Sequence, residues 1–204
     1  SAILGIVCYN YNSKRLSEKA AQSLKFYSRQ TAANVDFTVD SMKHVTDYIL
    51  SEQDMLYAMK TLPKYYEKGN YGFGKTIKHN DLLDTLNTGL AMYYIDSNFY
   101  RVIIFNEFGD VASSTNNGSK LTNKARNTSD IKWLDSAARM HGKPILIAPH
   151  MDGWGIRESE EVFSLARKVQ GGDFGYIEVQ YATDELKDIF EIPDSDIKVV
   201  AFLP

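Results

Sequence analysis

The sequence is poor in the residues that most often carry covalent scaffolding or catalysis. It holds one cysteine, Cys8, so neither a disulfide framework nor a CxxC metal or redox pair can be built. That single thiol fits the cytosol and fits many bacterial surface proteins. The histidines, His44, His79, His141 and His150, show no HxxxH or HExxH spacing. GxSxG is absent, and acid pairs such as Asp152 with Glu178, or Glu107 with Asp110, arise freely among 26 acidic residues. No enzyme, metal or cofactor is therefore expected. Lys and Arg number 23, the net charge is −3 and no basic stripe exists, which argues against nucleic-acid binding. A complete membrane span is also missing, since one needs about 20 consecutive apolar residues.

What is present is ordinary core material. Hydrophobic residues make up 44% and charged residues 24% of 204 positions, enough for one folded domain, or one domain with an appended element. Residues 2–9 form a short apolar run followed by Asn10, Asn12, Lys14 and Arg15. The run reads either as a buried segment of a soluble protein or as the outer end of a transmembrane helix. The second reading makes residues 1–12 juxtamembrane.

Residues 13–62 contain neither Gly nor Pro, the usual helix breakers. Leu24, Val35, Met42, Val45, Ile49, Leu56 and Met59 fit one a/d register, with Thr31, Thr38 and Glu52 as its weak places. One helix of roughly 75 Å is expected, either a stalk that packs on the domain and on a partner helix or a broken helix pair. Pro63 ends it. A second apolar helix is expected over residues 80–92.

The remainder alternates short strands with turns. Residues 100–108 form a near-continuous apolar strand, covered on both faces. Gly109-Asp110 turns the chain, and residues 111–115 return. A polar loop spans residues 116–129. A short helix over residues 130–141 stops at Gly142. Strands over 144–148, 162–169 and 175–181 follow, the last two joined by a turn at residues 170–173. In the last strand Ile177, Val179 and Tyr181 share one face, and Tyr176, Glu178 and Gln180 the other. A helix over 183–190 precedes an apolar run at 197–203. This order gives an α+β fold in which a long N-terminal helix packs on a five-stranded antiparallel sheet.

In this order the segments resemble the membrane-distal module of a double Cache (PDC-like) sensor domain. Phe105-Asn-Glu-Phe-Gly-Asp-Val-Ala-Ser-Ser114 is similar to the family's hairpin. Trp133, Ala137 and Gly142 are similar to its covering helix, and residues 175–186 to its closing strand and helix. The likeness covers most of residues 13–193. It implies a sensor module over 63–193, with 194–204 as a linker or the first strand of a second module. It also implies an extracytoplasmic site at the cell membrane, a receptor such as a sensor histidine kinase, and a small ligand between the sheet and the elements covering its outer face. Relatives that bind amino acids carry Arg-x-Trp-aromatic in the covering helix and an acid on the closing strand. Trp133 matches the Trp. Ile131 stands at the Arg position with Lys132 beside it, Leu134 replaces the aromatic, and Gln180 stands where the acid would be. An ordinary amino-acid ligand is therefore not expected.

The candidate ligand-binding residues are Lys132, Trp133, His150, Asp152, Trp154, Tyr176, Glu178 and Gln180. His150, Asp152 and Trp154 are expected on a loop after a strand ending near Pro149. Two Trp and a Tyr supply flat walls, with polar anchors between them. Alanine at Trp133 or Asp152 is expected to abolish binding with little change in melting temperature. A homodimer through the N-terminal helix is the expected assembly. Two other functions fit parts of the sequence. One is a helical dimerisation module with a bracing globule. The other is a P-loop nucleotide enzyme, from Gly69-Asn-Tyr-Gly-Phe-Gly-Lys75-Thr76. A P-loop must leave a buried strand and open a helix. Here a helix precedes it, and the next helix is expected too late.

Overall fold

A computed structural model describes residues 2–66, 73–95, 99–115, 131–154 and 160–185. The chain divides into two compact units, Ser1–Thr38 with Lys187–Pro204, and Val39–Leu186. Helix α1, Ala2–Ser51, supplies residues to both. In the first unit its described side chains are mostly exposed, Leu16, Leu24, Phe26 and Phe37 included. Among the described residues no helix is long and apolar enough to cross a membrane. The apolar run at 197–203 and the loop at 116–129 lie outside the described residues.

The expected single helix over 13–62 is interrupted. Glu52 adopts an extended backbone (φ −73°, ψ 113°), and a new helix, α2, runs Gln53–Thr61. The break falls at one of the weak places of the a/d register, Glu52. Two hydroxyls just before it, those of Thr46 and Ser51, bond back to the carbonyls of Lys43 and Tyr48, a local competition that loosens helices. Beyond the break Met55, Ala58 and Met59 are buried, while Leu56 is half-buried. A 3-10 turn at Leu62–Tyr65 follows, with Pro63 in its first positions, where a missing N–H costs nothing. Helix α3, Phe73–Leu90, starts earlier than expected, and α4 is Met92–Ile95. The P-loop string thus does run into a helix. The described element before it is the 3-10 turn, not a strand, and residues 67–72 lie outside the described residues.

The sheet has five strands in the order β2-β1-β5-β4-β3. They are β1 Arg101–Phe105, β2 Val111–Thr115, β3 Ile145–Met151, β4 Glu161–Lys168 and β5 Tyr176–Ala182. Every pairing is antiparallel. β1 and β5 lie inside the sheet, and all their residues are buried. The first strand ends at Phe105 rather than 108 because Asn106 builds the turn. Its carboxamide oxygen accepts the N–H groups of Phe108 and Asp110. Gly109 (φ +93°) supplies the left-handed position. Gly175 (φ +101°) opens β5, where a Cβ would sit 2.2 Å from the Phe105 carbonyl oxygen.

The third strand runs on to Met151, well past the expected end, with a register shift between Ile147 and His150. Pro149 is tolerated there because β3 is an edge strand and the pairing slips around it. Helix α5 is shorter than expected, Leu134–Arg139, and Gly142 (φ +77°) follows it. The chain turns helical at Thr183, and the rest of that helix lies outside the described residues.

Strand alternation sorts the core into two clusters. On one face Val102, Ile104, Phe163, Leu165, Ile177, Val179 and Tyr181 join Met42, Val45, Ile49, Met55, Met59, Leu86 and Leu90 from the helices. On the other Ile103, Phe105 and Tyr176 join Ala137, Trp154 and the half-buried Trp133 and Leu134.

Candidate functional site

The face of the sheet opposite α1 is apolar at one end and polar at the other. The apolar end is aromatic. Phe105 contacts Trp154 (ring centroids 4.7 Å apart), stacks on Tyr176 (5.4 Å) and meets the edge of Trp133 (5.9 Å). Tyr176 donates its hydroxyl to Glu107 (3.2 Å). Its pKa is pushed up to about 12, first by burial and then by the Glu107 charge.

The polar end is built from β1, β5, β4 and the end of β3. Arg101 and Gln180 are cross-strand partners, as are Gln180 and Ser164, and the alternation that aims Ile177 and Val179 at α1 aims Glu178 and Gln180 here. Arg101 Nη1 lies 3.1 Å from Asp152 Oδ2, both side chains being fully buried. Asp152 also accepts from the Trp154 backbone N–H (3.0 Å), the Gln180 amide (3.3 Å) and the Tyr100 hydroxyl (3.4 Å). Glu178 accepts from the Trp154 indole (2.7 Å), the Ser164 hydroxyl (2.8 Å) and the same Gln180 amide (3.2 Å). His150 Nε2 stands 3.8 Å from Glu178, and its Nδ1 faces the Ala148 carbonyl at 2.9 Å. Burial alone would depress the His150 pKa. The Glu178 hydrogen bond, the Ala148 carbonyl and the charges of Glu178 and Asp152 outweigh burial and raise it. Burial, then the Asp152 charge, raises that of Tyr100.

Of the eight residues singled out from sequence, seven gather on this face: Trp133, His150, Asp152, Trp154, Tyr176, Glu178 and Gln180. Lys132 is exposed. His150 belongs to β3 and not to a loop, because the strand continues through Pro149. Trp154 is 4% exposed and hydrogen-bonded, so it packs in the core rather than standing as an open wall. Asp152 is the counter-charge of Arg101. Its removal takes a charged partner from a buried guanidinium, which changes the expectation that alanine there leaves stability alone.

Sequence reasoning missed Arg101, Tyr100 and Ser164. One signal was available: a cation at the head of a strand covered on both faces requires a buried partner.

Two other features of the same unit stand apart. Asp110 accepts from the Tyr66 hydroxyl (2.6 Å), the Asn106 amide (2.8 Å) and His79 Nε2 (2.8 Å), and Tyr66 stacks on Phe108. That network ties the 3-10 turn and α3 to the β1-β2 turn. A cleft of about 490 Å³ at the helix break is lined by Tyr48, Glu52, Asp54, Asp81, Asp84 and Thr88. Among the described residues no three His, Cys, Asp or Glu side chains are grouped to hold a metal.

A long N-terminal helix against a five-stranded antiparallel sheet is the fold of PDC/Cache-like sensor domains. Solved structures share it at low sequence identity. The sensor domain of the Vibrio cholerae histidine kinase DctB is 12% identical with a TM-score of 0.58, covering 84% of this chain and 59% of its own. The ligand-binding domain of the Pseudomonas aeruginosa PAO1 amino-acid chemoreceptor PctC, in complex with GABA, is 13% identical with a TM-score of 0.55, covering 82% and 66%. A domain of a sensory box/GGDEF family protein from Vibrio parahaemolyticus is 11% identical with a TM-score of 0.58, covering 86% and 65%. The chain thus spans under two thirds of each. No protein-family model matches the sequence, and no curated protein is significantly similar to it.

Proposed function

We propose that this chain is the extracytoplasmic ligand-sensing domain of a membrane-bound signal-transduction receptor, with a histidine kinase as its output. A small organic solute binds on the sheet face opposite α1, among Trp133, His150, Asp152, Trp154, Tyr176, Glu178 and Gln180. The observation that carries this is the composition of that face. A fully buried Arg, Asp, Glu and Gln sit where an apolar face would be more stable, and the Gln180 carboxamide oxygen has no hydrogen-bond partner. Buried polar groups without a structural need mark a binding site. The fold shared with the sensor domains of DctB and PctC supports the same reading.

In this reading residues 1–12 continue a transmembrane segment, 63–193 are the sensor module and 194–204 lead towards a second one. Binding changes the packing of the sheet on α1, and the helix carries the bias to the membrane. The exposed Leu16, Leu24, Phe26 and Phe37 support a homodimer through the helix.

Calorimetric screening of amines, amino acids, organic acids and sugars against wild type and Trp133→Ala tests the site. A solute whose binding is lost in the variant, with the fold intact, is the expected result. Solutes that bind equally well to both would place the site elsewhere.

A further inference from the structure

We infer that Glu178 and the Gln180 carboxamide oxygen form a subsite for a small organic cation, which replaces His150 as the positive partner of Glu178. This rests on the reading of that face as the ligand site.

The first ground is charge. Two carboxylates and one guanidinium are buried together, and the guanidinium is engaged by Asp152 at 3.1 Å. Glu178 is left with neutral donors, the Trp154 indole, the Ser164 hydroxyl and the Gln180 amide. Among the described residues the charged groups near it are Asp152 after β3, Arg101 at the head of β1 and His150, with Tyr100 a further titratable neighbour of Asp152. Among the described residues His150, at 3.8 Å, is the group that can supply the missing charge, and only when protonated.

The second ground is the orphaned acceptor. Gln180 is fully buried, and its amide donates to Asp152 and to Glu178. Two carboxylates fix the carboxamide orientation, since only the NH2 end can face them. Its Oε1 therefore points away from both and lacks a donor. An N–H-bearing cation satisfies this oxygen and Glu178 together.

The third ground is access. Glu178 is 1% exposed and His150, 3.8 Å from it, is 29% exposed, so of the pair it is the imidazole that reaches solvent. Swinging it outward opens Glu178 and vacates the space a ligand needs. Cation and protonated His150 then exclude each other, so affinity for a cation falls as pH drops and His150 protonates.

Butylamine, GABA and butyrate, titrated calorimetrically into the full chain, separate the charges. Butylamine is expected to bind and butyrate not. Butylamine should bind at least about tenfold more weakly near pH 5.5 than near pH 8.5, while the amine itself stays protonated. Glu178→Gln should abolish butylamine binding with a cooperative melt retained. His150→Gln should flatten the pH dependence of butylamine binding, whatever its effect on affinity at the higher pH, which serves as the test even if the Glu178 variant is unstable. Butyrate binding without butylamine, no binding by any of the three, or butylamine binding indifferent to Glu178→Gln overturns the inference. If a solute still binds and Trp133→Ala abolishes that binding, the sensor reading survives while the cation subsite falls.

Discussion

The two faces of the sheet are built to opposite rules. The face against α1, α2 and α3 is filled by Val, Ile, Leu, Met and Phe from every element it touches. The opposite face combines an aromatic cluster with Arg101, Asp152, Glu178 and Gln180, all fully buried. The first arrangement stabilises the fold at about 1.5–3 kcal/mol for each large side chain buried. The second desolvates charges that hydrophobic residues of similar volume could replace without loss. Apolar burial accounts for the first face, whereas the second is the face on which a solute is proposed to bind.

Breaking the polar face should cost most. Asp152→Ala breaks a fully buried ion pair with Arg101, and about 3–5 kcal/mol of stability should be lost in urea unfolding. A conservative Asp152→Asn change, which keeps an acceptor, should cost less. On the helix face Ile49→Ala and Met42→Ala create cavities in a fully buried core, each costing about 2–5 kcal/mol, with ligand binding retained in the fraction that folds.

Much of this contrast was legible in the sequence. Period-two alternation in residues 176–181 separated Tyr176, Glu178 and Gln180 from Ile177, Val179 and Tyr181, because side-chain direction in a strand follows from spacing alone. The helix break at Glu52 was legible only as a weak register position. Spacing marks which positions are apolar and does not reveal the extended backbone that Glu52 adopts. The place of His150 on a strand was hidden by Pro149, which sequence rules take as a terminator although an edge strand accepts it. The Arg101–Asp152 pair joins residues 51 apart, and no local pattern announces such a contact.

Smaller effects sharpen the comparison. Tyr66→Phe removes one hydroxyl from Asp110 at the edge of the helix face and should cost about 0.5–1.5 kcal/mol, leaving solute binding unchanged. His150→Gln addresses pH. The His150 pKa is raised in the folded state, so its contribution is fully present below the unfolded value of about 6.5 and is lost as pH rises through the folded value. Wild type should therefore gain stability over the variant on acidification through that window, seen as a growing gap between their urea midpoints.

The chain has only two tryptophans, Trp133 and Trp154, and both contact Phe105 on the polar face. Tryptophan emission during titration with a solute whose binding calorimetry has established is therefore the most direct test. A saturable change in emission, with the same midpoint as the heat signal, is the expected result. Saturable heat with unchanged emission, abolished by Asp81→Asn or Asp84→Asn in the cleft at the helix break, would contradict the assignment of the ligand to this face.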